Sequence, residues 1–480
     1  MEKTLNGADR SRWTILFVVV LATFMATLDS SIVNVALPVM TDSMHVTTAS
    51  ISWVVSAYLI AISAAILVFG KLGDIFGQTK VFQFGLIIFT IGSFLCGVTY
   101  SFGWLILARV VQAIGAAGTM ANSQGIITRT FPENERGRAL GINGAFVALG
   151  SLVGPALGGF IISVASWEYL FWINVPIGIV VFLLGAKVYP KNERQEKVKI
   201  DVPGAMLFVV AIVPLFIALE QSVTLGFGYI TVIACLAVSA VGFILFYQVE
   251  RRGKTPLLPM DVFKNKWFTV SLFCAFISFI AISFSNIIMP FYLQDLLKMS
   301  PAFSGLFLSI FPLVLGITAP ISGYLSDRIG SEFLTLLGLI LTALGLFLVS
   351  TLDKNPSYVL MGVFIAMIGG GNGLFQSPNN SLVMSSLPKK DLGIGGSLNA
   401  LVRNIGLVAG ITFATMILYG GMSSRIGYTV NDYFEGADDA FLYGMRIAFI
   451  TAGLVCTLGA VVTAARLSSV KKLKAGSGRG

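Results

Sequence analysis

Long apolar runs separated by short polar segments occupy almost the whole sequence. A bilayer core about 30 Å thick needs roughly 20 apolar residues per helix, and each run meets that length. The pattern predicts fourteen spans, near residues 13–38, 49–70, 80–99, 102–126, 139–162, 168–187, 203–222, 227–248, 267–292, 301–322, 333–352, 357–383, 393–419 and 442–465. We therefore expect an all-α polytopic membrane protein.

The composition excludes a soluble protein of this length. Charged residues make up 11% of the 480 residues and hydrophobic residues 56%, whereas soluble domains carry about 25% charged residues to wet their surface. The first run, from Trp13 to Leu37, is too long for the apolar region of a signal peptide. We expect it to remain as a membrane span.

The basic residues lie almost entirely on one side of this topology. With the N-terminus in the cytoplasm, twenty-six of the 32 lysines and arginines fall in cytoplasmic segments, three in outer loops and three within or at the edge of spans. Positive charge concentrates on the cytoplasmic side of membrane proteins. We expect a multi-pass protein of the cell membrane with both termini in the cytoplasm. The net charge of +9 then needs no nucleic-acid partner.

The inventory of reactive residues argues against an enzyme. The chain has one histidine, His45, and four cysteines that all lie in apolar runs without CxxC spacing. No GxSxG, HExxH or Walker A pattern is present. We expect no catalytic residue, no metal and no cofactor. Without an ATP site, an ion gradient must supply the energy.

An internal repeat divides the chain. GKLGDIFG (Gly70–Gly77) ends the second span and GYLSDRIG (Gly323–Gly330) ends the tenth, and both fit GxLxDxxG. Repeats of this kind are common in secondary transporters. The plan is a six-helix bundle at 1–190, linkers with an inserted helix pair at 191–265, and a second six-helix bundle with a basic tail at 266–480. We expect the inserted pair to pack outside both bundles.

Five motifs in order carry a family resemblance. They are LDSSIVNVALP (28–38) in span 1, the GxLxDxxG element, RVVQAIG (109–115) in span 4, the glycines at 141, 150, 154, 158 and 159 with Pro155 in span 5, and WEYLFWINVPIG (167–178) in span 6. The chain resembles a major facilitator superfamily transporter of the fourteen-span drug:proton antiporter type over essentially its whole length. Ile75, Gln78 and Ala113 depart from the motifs, and the first two weaken a charge relay at the cytoplasmic gate.

Two charged residues predict the coupling site. Asp29 and Arg109 both lie roughly 10–14 Å below the outer membrane face at 1.5 Å per residue, on spans that line the cavity in the superfamily. A charge at this depth is costly and is a candidate functional group. We expect the pair to couple proton movement to transport. The alternative is a static ion pair that joins two helices.

Further residues are candidates through the resemblance or their position in the spans. The predicted substrate contacts are Asp29, Asn34, Gln112, Asn286, Tyr292, Gln376 and Arg403. The predicted gating residues are Gly70, Asp74, Gly77, Gly154, Pro155, Asp327 and Arg328. The amides of span 12 (Asn372, Gln376, Asn379 and Asn380) can contact substrate or join helices. Glu220 ends span 7 near the outer interface, where we expect it to snorkel to the surface or to be solvated.

These features together predict the function. We expect a monomeric, proton-coupled secondary transporter that exports amphipathic, neutral or monocationic compounds by alternating access. Its partners are then small-molecule substrates and the lipid bilayer, with the proton gradient as energy source. The alternative is a transporter of the same fold that serves a single lipid or metabolite.

Overall fold

A computed structural model gives the fold. It describes residues 2–99, 101–189, 201–226, 228–253, 258, 260–387 and 392–477. Within these ranges, side chains are described except at 2–11, 74, 133–134, 136–138, 140–141, 202, 223–224, 327, 392–394, 397 and 470–477. The element bounds below follow the backbone.

The described residues form sixteen α-helices. The N-terminal part contains α1 (Glu2–Met44), α2 (Thr48–Ile51), α3 (Trp53–Phe76), α4 (Gln78–Gly97), α5 (Phe102–Thr130), α6 (Glu133–Val164), α7 (Tyr169–Trp172) and α8 (Asn174–Val188). The inserted pair is α9 (Val202–Leu225) and α10 (Ile230–Arg252). The C-terminal part contains α11 (Lys266–Phe291), α12 (Pro301–Ile329), α13 (Ser331–Val349), α14 (Tyr358–Ser385), α15 (Leu392–Ile426) and α16 (Asp438–Ser477). A 3₁₀ turn at Met260–Lys264 precedes α11, and a π-helical turn at Tyr292–Leu296 extends it.

Fourteen of these segments are long and apolar enough to cross a membrane, so the predicted all-α polytopic fold and the number of spans are confirmed. The short helices α2 and α7 belong to the second and sixth spans. The predicted end of span 13 at residue 419 falls too early, because α15 continues through Gly420 and Gly421 to Ile426. Gly421 packs closely on Gly444 of α16, and the helix ends before Gly427, which has a positive φ of 94°.

The two groups of six spans repeat the same packing. In the first, α3 and α4 both pack on α5, and α1 packs on α6; in the second, α12 and α13 both pack on α14, and α11 packs on α15. The two groups meet along two seams, α6 against α12 and α3 against α15. These seams correspond to each other under the repeat, because α3 matches α12 and α6 matches α15. The arrangement is that of two similar bundles whose corresponding helices run in the same direction, related by an axis along the membrane normal.

The seam between α6 and α12 depends on missing side chains. A Cβ on Gly159 would overlap the carbonyl oxygen of Pro301, and a Cβ on Gly305 would overlap that of Pro155. On the adjoining face of α6, Gly154 lies against Ser31 of α1 in the same way. Small residues allow membrane helices to approach closely in this manner. The glycines of α6 therefore join α1 to the opposite bundle.

The inserted pair is asymmetric in its contacts. Helix α9 packs on α10 and also along the α3–α15 seam, whereas the principal contacts of α10 are with α9 and the 3₁₀ turn. Large apolar side chains on α10 are exposed, including Ile230, Val241 and Ile244, as expected of a helix that faces lipid. The pair thus lies beside the bundles, with α9 in contact with both of them.

The bundles are joined at one end. Because fourteen spans place both chain ends on one side, we call that side the terminal face and the opposite side the distal face. Gln294 Nε2 donates to the Val35 carbonyl at 2.8 Å, Ala49 N–H donates to the Asn431 carbonyl at 3.3 Å, and Thr48 bonds to the Asp432 carboxylate. All these contacts lie toward the distal face. This conformation is therefore closed at the distal face.

The last glycine of each GxLxDxxG element ends a helix. Gly77 separates α3 from α4 with φ 101° and ψ 129°, and Gly330 separates α12 from α13 with φ 94° and ψ 138°. Residues with a Cβ rarely adopt positive φ of this kind. The motif therefore encodes the same tight turn in both bundles.

We expect Gly77→Ala to lower the free energy of unfolding by about 1–3 kcal/mol, the usual cost of a strained backbone region. Gly70→Ala is the matched control, because Gly70 lies within α3 and a Cβ there would meet nothing within 4 Å. Unfolding of both variants in mixed detergent micelles measures the difference. Equal destabilisation by the two substitutions would contradict a backbone role for Gly77.

Candidate functional site: a buried charge cluster in the N-terminal bundle

Asp29 lies midway along α1 and is completely buried, with 0% of its surface exposed. Its carboxylate accepts three hydrogen bonds: Arg109 Nη1 donates to Oδ2 at 2.8 Å, and Gln112 Nε2 and Asn174 Nδ2 donate to Oδ1 at 2.8 and 2.7 Å. The donors come from α5 and α8. Three helices of the first bundle therefore meet at one carboxylate.

Arg109 is almost as deeply buried, at 1% exposure. Besides Asp29, its guanidinium contacts a backbone carbonyl and two aromatic rings. Its Nε donates to the Val54 carbonyl oxygen at 3.0 Å, at the start of α3. Its guanidinium carbon lies 4.0 Å from the centre of the Tyr58 ring and 5.5 Å from that of Phe171. Stacking on an aromatic face stabilises a desolvated cation. Arg109 thus links the carboxylate of α1 to the backbone of α3.

Gln112 forms part of the same cluster, and its contact with substrate stays a prediction. It is fully buried, its Nε2 donates to both Asp29 and Ser93 Oγ at 2.8 Å, and its Oε1 accepts from Arg109 Nη1 at 2.6 Å. These bonds use both amide hydrogens. The structure therefore assigns Gln112 to holding Asp29 and Arg109 in place.

The cluster satisfies the electrostatic requirement of a buried charge. Removing an ion from water costs several kcal/mol, which is offset only by good geometry and further hydrogen bonds. Asp29 has one cation and two neutral amide donors, a set that suits the ionised carboxylate. In this distally closed conformation the pair has no exposed surface, so exchange of a proton at Asp29 requires a rearrangement of the bundle.

The other predicted substrate contacts are spread over four helices. Asn34 on α1, Asn286 on α11, Gln376 on α14 and Arg403 on α15 are all partly buried. Gln376 donates to Asn372 Oδ1 at 3.2 Å, and Arg403 has no ion pair among the described residues. These side chains are not brought together into one contact group, and their substrate role stays a prediction.

Tyr292, another predicted substrate contact, lies directly after α11. It is completely buried, and its hydroxyl donates to the Asp353 carbonyl oxygen at 2.7 Å. This bond ties the end of α11 to the loop between α13 and α14 within the second bundle. In this conformation Tyr292 has no exposed surface, and its contact with substrate stays a prediction.

The amides of span 12 mostly join helices. Asn372 Nδ2 donates to Ser278 Oγ at 3.1 Å and Asn379 Nδ2 donates to the Ser271 carbonyl at 3.2 Å, both on α11. Asn380 Oδ1 accepts from Asn399 Nδ2 of α15 at 2.8 Å. Of the two interpretations of this run, the contacts favour helix association for these three residues.

The predicted gating residues lie in the seams and turns described above. Gly154 and Pro155 lie where α6 meets α1 and α12, and Gly70 and Gly77 lie in the last turns of α3 and directly after it. Arg328 is exposed and stacks on Tyr324 of its own helix, 4.7 Å from the ring centre. The side chains of Asp74 and Asp327 lie outside the described part of the chain.

Two important residues were not assigned from the sequence. Asn174 belongs to the span 6 motif. A polar residue in an otherwise apolar span was the only indication of its importance, and nothing in the sequence indicated that it reaches Asp29.

Glu220 was expected to snorkel or to be solvated, and that expectation is wrong. It is 3% exposed and lies between the bundles, where Ser52 Oγ and Thr412 Oγ1 each lie 2.7 Å from its carboxyl oxygens.

No group of three or more histidine, cysteine, aspartate or glutamate side chains in the described part of the chain could hold a metal ion. The chemistry of the buried site is therefore that of a carboxylate, a guanidinium and amide donors.

The fold is that of a helical membrane transporter built from two related bundles. The sequence profile of the Major Facilitator Superfamily matches residues 19–411 and 271–479. The chain belongs to this superfamily.

Sequence similarity to named transporters extends over nearly the whole chain. The riboflavin transporter RibZ of Clostridioides difficile is 32% identical over 455 residues, which cover 95% of this chain and 97% of that protein. The multidrug transporter protein MdtP of Bacillus subtilis is 29% identical and covers 90% of this chain, with 79% of that protein. A crystal structure of a POT family transporter in complex with 5-aminolevulinic acid shares the fold, with a TM-score of 0.70 at 16% identity over 96% of both chains.

A double-mutant cycle tests the energetics of the pair. We expect Arg109→Ala to lower the free energy of unfolding by about 3–5 kcal/mol, because it leaves the Asp29 charge buried without its cation. The cycle is completed by Asp29→Asn and by the double variant Asp29→Asn with Arg109→Ala, which should cost less than Arg109→Ala alone, since no buried charge remains. Unfolding of the purified variants in mixed micelles gives the coupling energy. Strictly additive single and double effects would contradict a coupled pair.

Proposed function

We propose that the protein is a proton-coupled antiporter that exports amphipathic, neutral or monocationic compounds by alternating access. The observation that carries this proposal is the Asp29–Arg109 pair, a carboxylate and a cation 2.8 Å apart with almost no exposed surface. Intramembrane charges that pair in a bundle interior are typical of proton relays and substrate pathways. Similarity to the multidrug transporter MdtP supports the export of such compounds.

The contacts of Arg109 suggest how the charge state of Asp29 reaches the seam. Protonation of Asp29 would remove the anion that holds Nη1, while Nε remains bonded to the Val54 carbonyl of α3. Helix α3 forms one of the two seams between the bundles. A change of charge at Asp29 therefore acts on a helix that must move when the bundles rock against each other.

The energy source in this proposal is the proton gradient, without ATP, metal or cofactor. The chain would act as a monomer in the cell membrane with both termini in the cytoplasm, since that orientation places most of its basic residues on the cytoplasmic side. The distally closed conformation is then the inward-facing state. No catalytic step is assigned to the chain.

A second candidate function is transport of one dedicated metabolite. It is favoured by the similarity to the riboflavin transporter RibZ, which extends over 95% of this chain. Asp29 would then serve coupling alone. A transport panel of unrelated lipophilic cations, neutral drugs and riboflavin separates the two: export of many compounds supports the antiporter of broad range, and transport of one compound supports the dedicated carrier.

Asp29→Asn tests the coupling residue. Asparagine keeps the shape and can still accept hydrogen bonds, but it cannot exchange a proton. In proteoliposomes with an imposed pH gradient, we expect uphill transport to fall to the background of empty vesicles, while downhill movement of a neutral substrate persists. Parallel vesicles without the gradient measure the downhill component.

The control is Asp261→Asn, which removes an exposed carboxylate from the 3₁₀ turn outside the spans. It should leave uphill transport at the wild-type rate. Accumulation at the wild-type rate in Asp29→Asn would remove Asp29 as the proton carrier.

A further inference from the structure

Glu220 is a second buried carboxylate, and it belongs to the inserted helix pair. It lies near the distal end of α9, at the seam between α3 and α15. Ser52 Oγ, at the start of α3, is 2.7 Å from Oε1, and Thr412 Oγ1 of α15 is 2.7 Å from Oε2. One side chain of the insert therefore contacts both bundles where they are closed together.

The hydrogen count at this contact favours a protonated carboxyl group. Ser52 Oγ lies 2.8 Å from the Ala49 carbonyl oxygen as well as 2.7 Å from Glu220 Oε1, but a hydroxyl has one hydrogen to donate. A carbonyl oxygen can only accept. If the Ser52 hydrogen goes to Ala49, the hydrogen in the Ser52–Glu220 contact must come from Glu220.

The remaining contact agrees with this assignment. Thr412 can donate to Oε2, which is the carbonyl oxygen of the neutral acid. In the protonated form all three contacts are therefore hydrogen bonds. In the ionised form one hydroxyl hydrogen would have to serve two acceptors.

Nearby charges do not supply a counter-ion. In the described part of the chain, no lysine, arginine or histidine lies within ion-pair distance of Glu220. On the two helices of the seam, the titratable groups with described side chains are Tyr58 and Lys71 on α3 and Arg403, Tyr419 and Arg425 on α15. Asp295 and Asp432 lie at the same distal closure, where Asp432 accepts from Thr48. Arg109 reaches this region only through the Val54 carbonyl. Burial of an ionised carboxylate without a cation is costly.

We propose that Glu220 is a second proton-binding site, and that its neutral form latches the distal gate by joining α9 to both bundles. Deprotonation would leave an uncompensated charge in the seam and favour opening. This inference rests on the proposed alternating-access transport, but it does not require Asp29 to be the proton carrier.

The latch and the Asp29 cluster meet at the same turn of α3. Ser52 contacts Glu220, and two residues later Val54 accepts from Arg109. In this conformation the two carboxyl groups have different surroundings, with Asp29 beside a cation and Glu220 between two hydroxyls. A shift of this turn would affect both sites.

The test measures opening of the distal face against pH. Spin labels on cysteines at Ser166 and Asn355, which are exposed in distal loops of the two bundles, report the distance by pulsed electron paramagnetic resonance in nanodiscs. The background carries Cys235→Ser, because the other three cysteines are buried. In the otherwise wild-type protein, the closed population should rise as pH falls from about 9 to about 5, by at most about tenfold in the closed-to-open ratio per pH unit for one proton.

Glu220→Gln is the decisive variant, since its amide can donate to Ser52 and accept from Thr412 as the neutral acid does. We expect it to stay closed across the series. Thr412→Val should shift the equilibrium toward the open state at low pH. The control, Asp439→Asn, removes an exposed carboxylate at the same face and should keep the wild-type profile.

The outcomes separate the latch from the proposed function. A wild-type pH profile in Glu220→Gln would overturn the latch. A pH-dependent gate that is lost in Glu220→Gln, together with transport that ignores the proton gradient, would support the latch and contradict proton-coupled transport.

Discussion

The interior of the first bundle depends on offsetting the free-energy cost of burying charged side chains within the membrane. Asp29 and Arg109 lie at membrane depth with almost no exposed surface, so the pair persists only because each charge is the other's partner and the surrounding polar groups complete the shell. Gln112, Asn174 and the Val54 carbonyl supply that shell from three helices. The interior of the first bundle is thus organised around one ion pair.

The same constraint explains the asymmetry between the two seams. Along α6 and α12 the bundles meet through glycines, and the contact is one of backbone against backbone without charge. Along α3 and α15 they meet through hydroxyl groups with Glu220 of the insert between them. One seam is therefore an apolar contact of helix backbones and the other a polar contact, which we propose responds to protonation of Glu220. The insert contributes to the gate although it lies beside the bundles.

Much of the fold could be predicted from the sequence, because apolar length, charge distribution and a repeated motif report directly on membrane spans. The depth of Asp29 and Arg109 also follows from counting residues along their helices, and the structure places them 2.8 Å apart. Contacts of Asn174 and Glu220 could not be predicted in this way, since they depend on which face of a helix meets which neighbour. The bond between the Tyr292 hydroxyl and a loop carbonyl could not be predicted for the same reason.

The most direct test of the central claim is proton release from the purified protein. In weakly buffered detergent solution, addition of a compound that the protein transports should release protons if substrate binding and protonation of Asp29 exclude each other. We expect release from the wild-type protein and none from Asp29→Asn under the same occupancy, which is verified by binding of the labelled compound. Equal release from both proteins would contradict Asp29 as the site where proton and substrate are coupled.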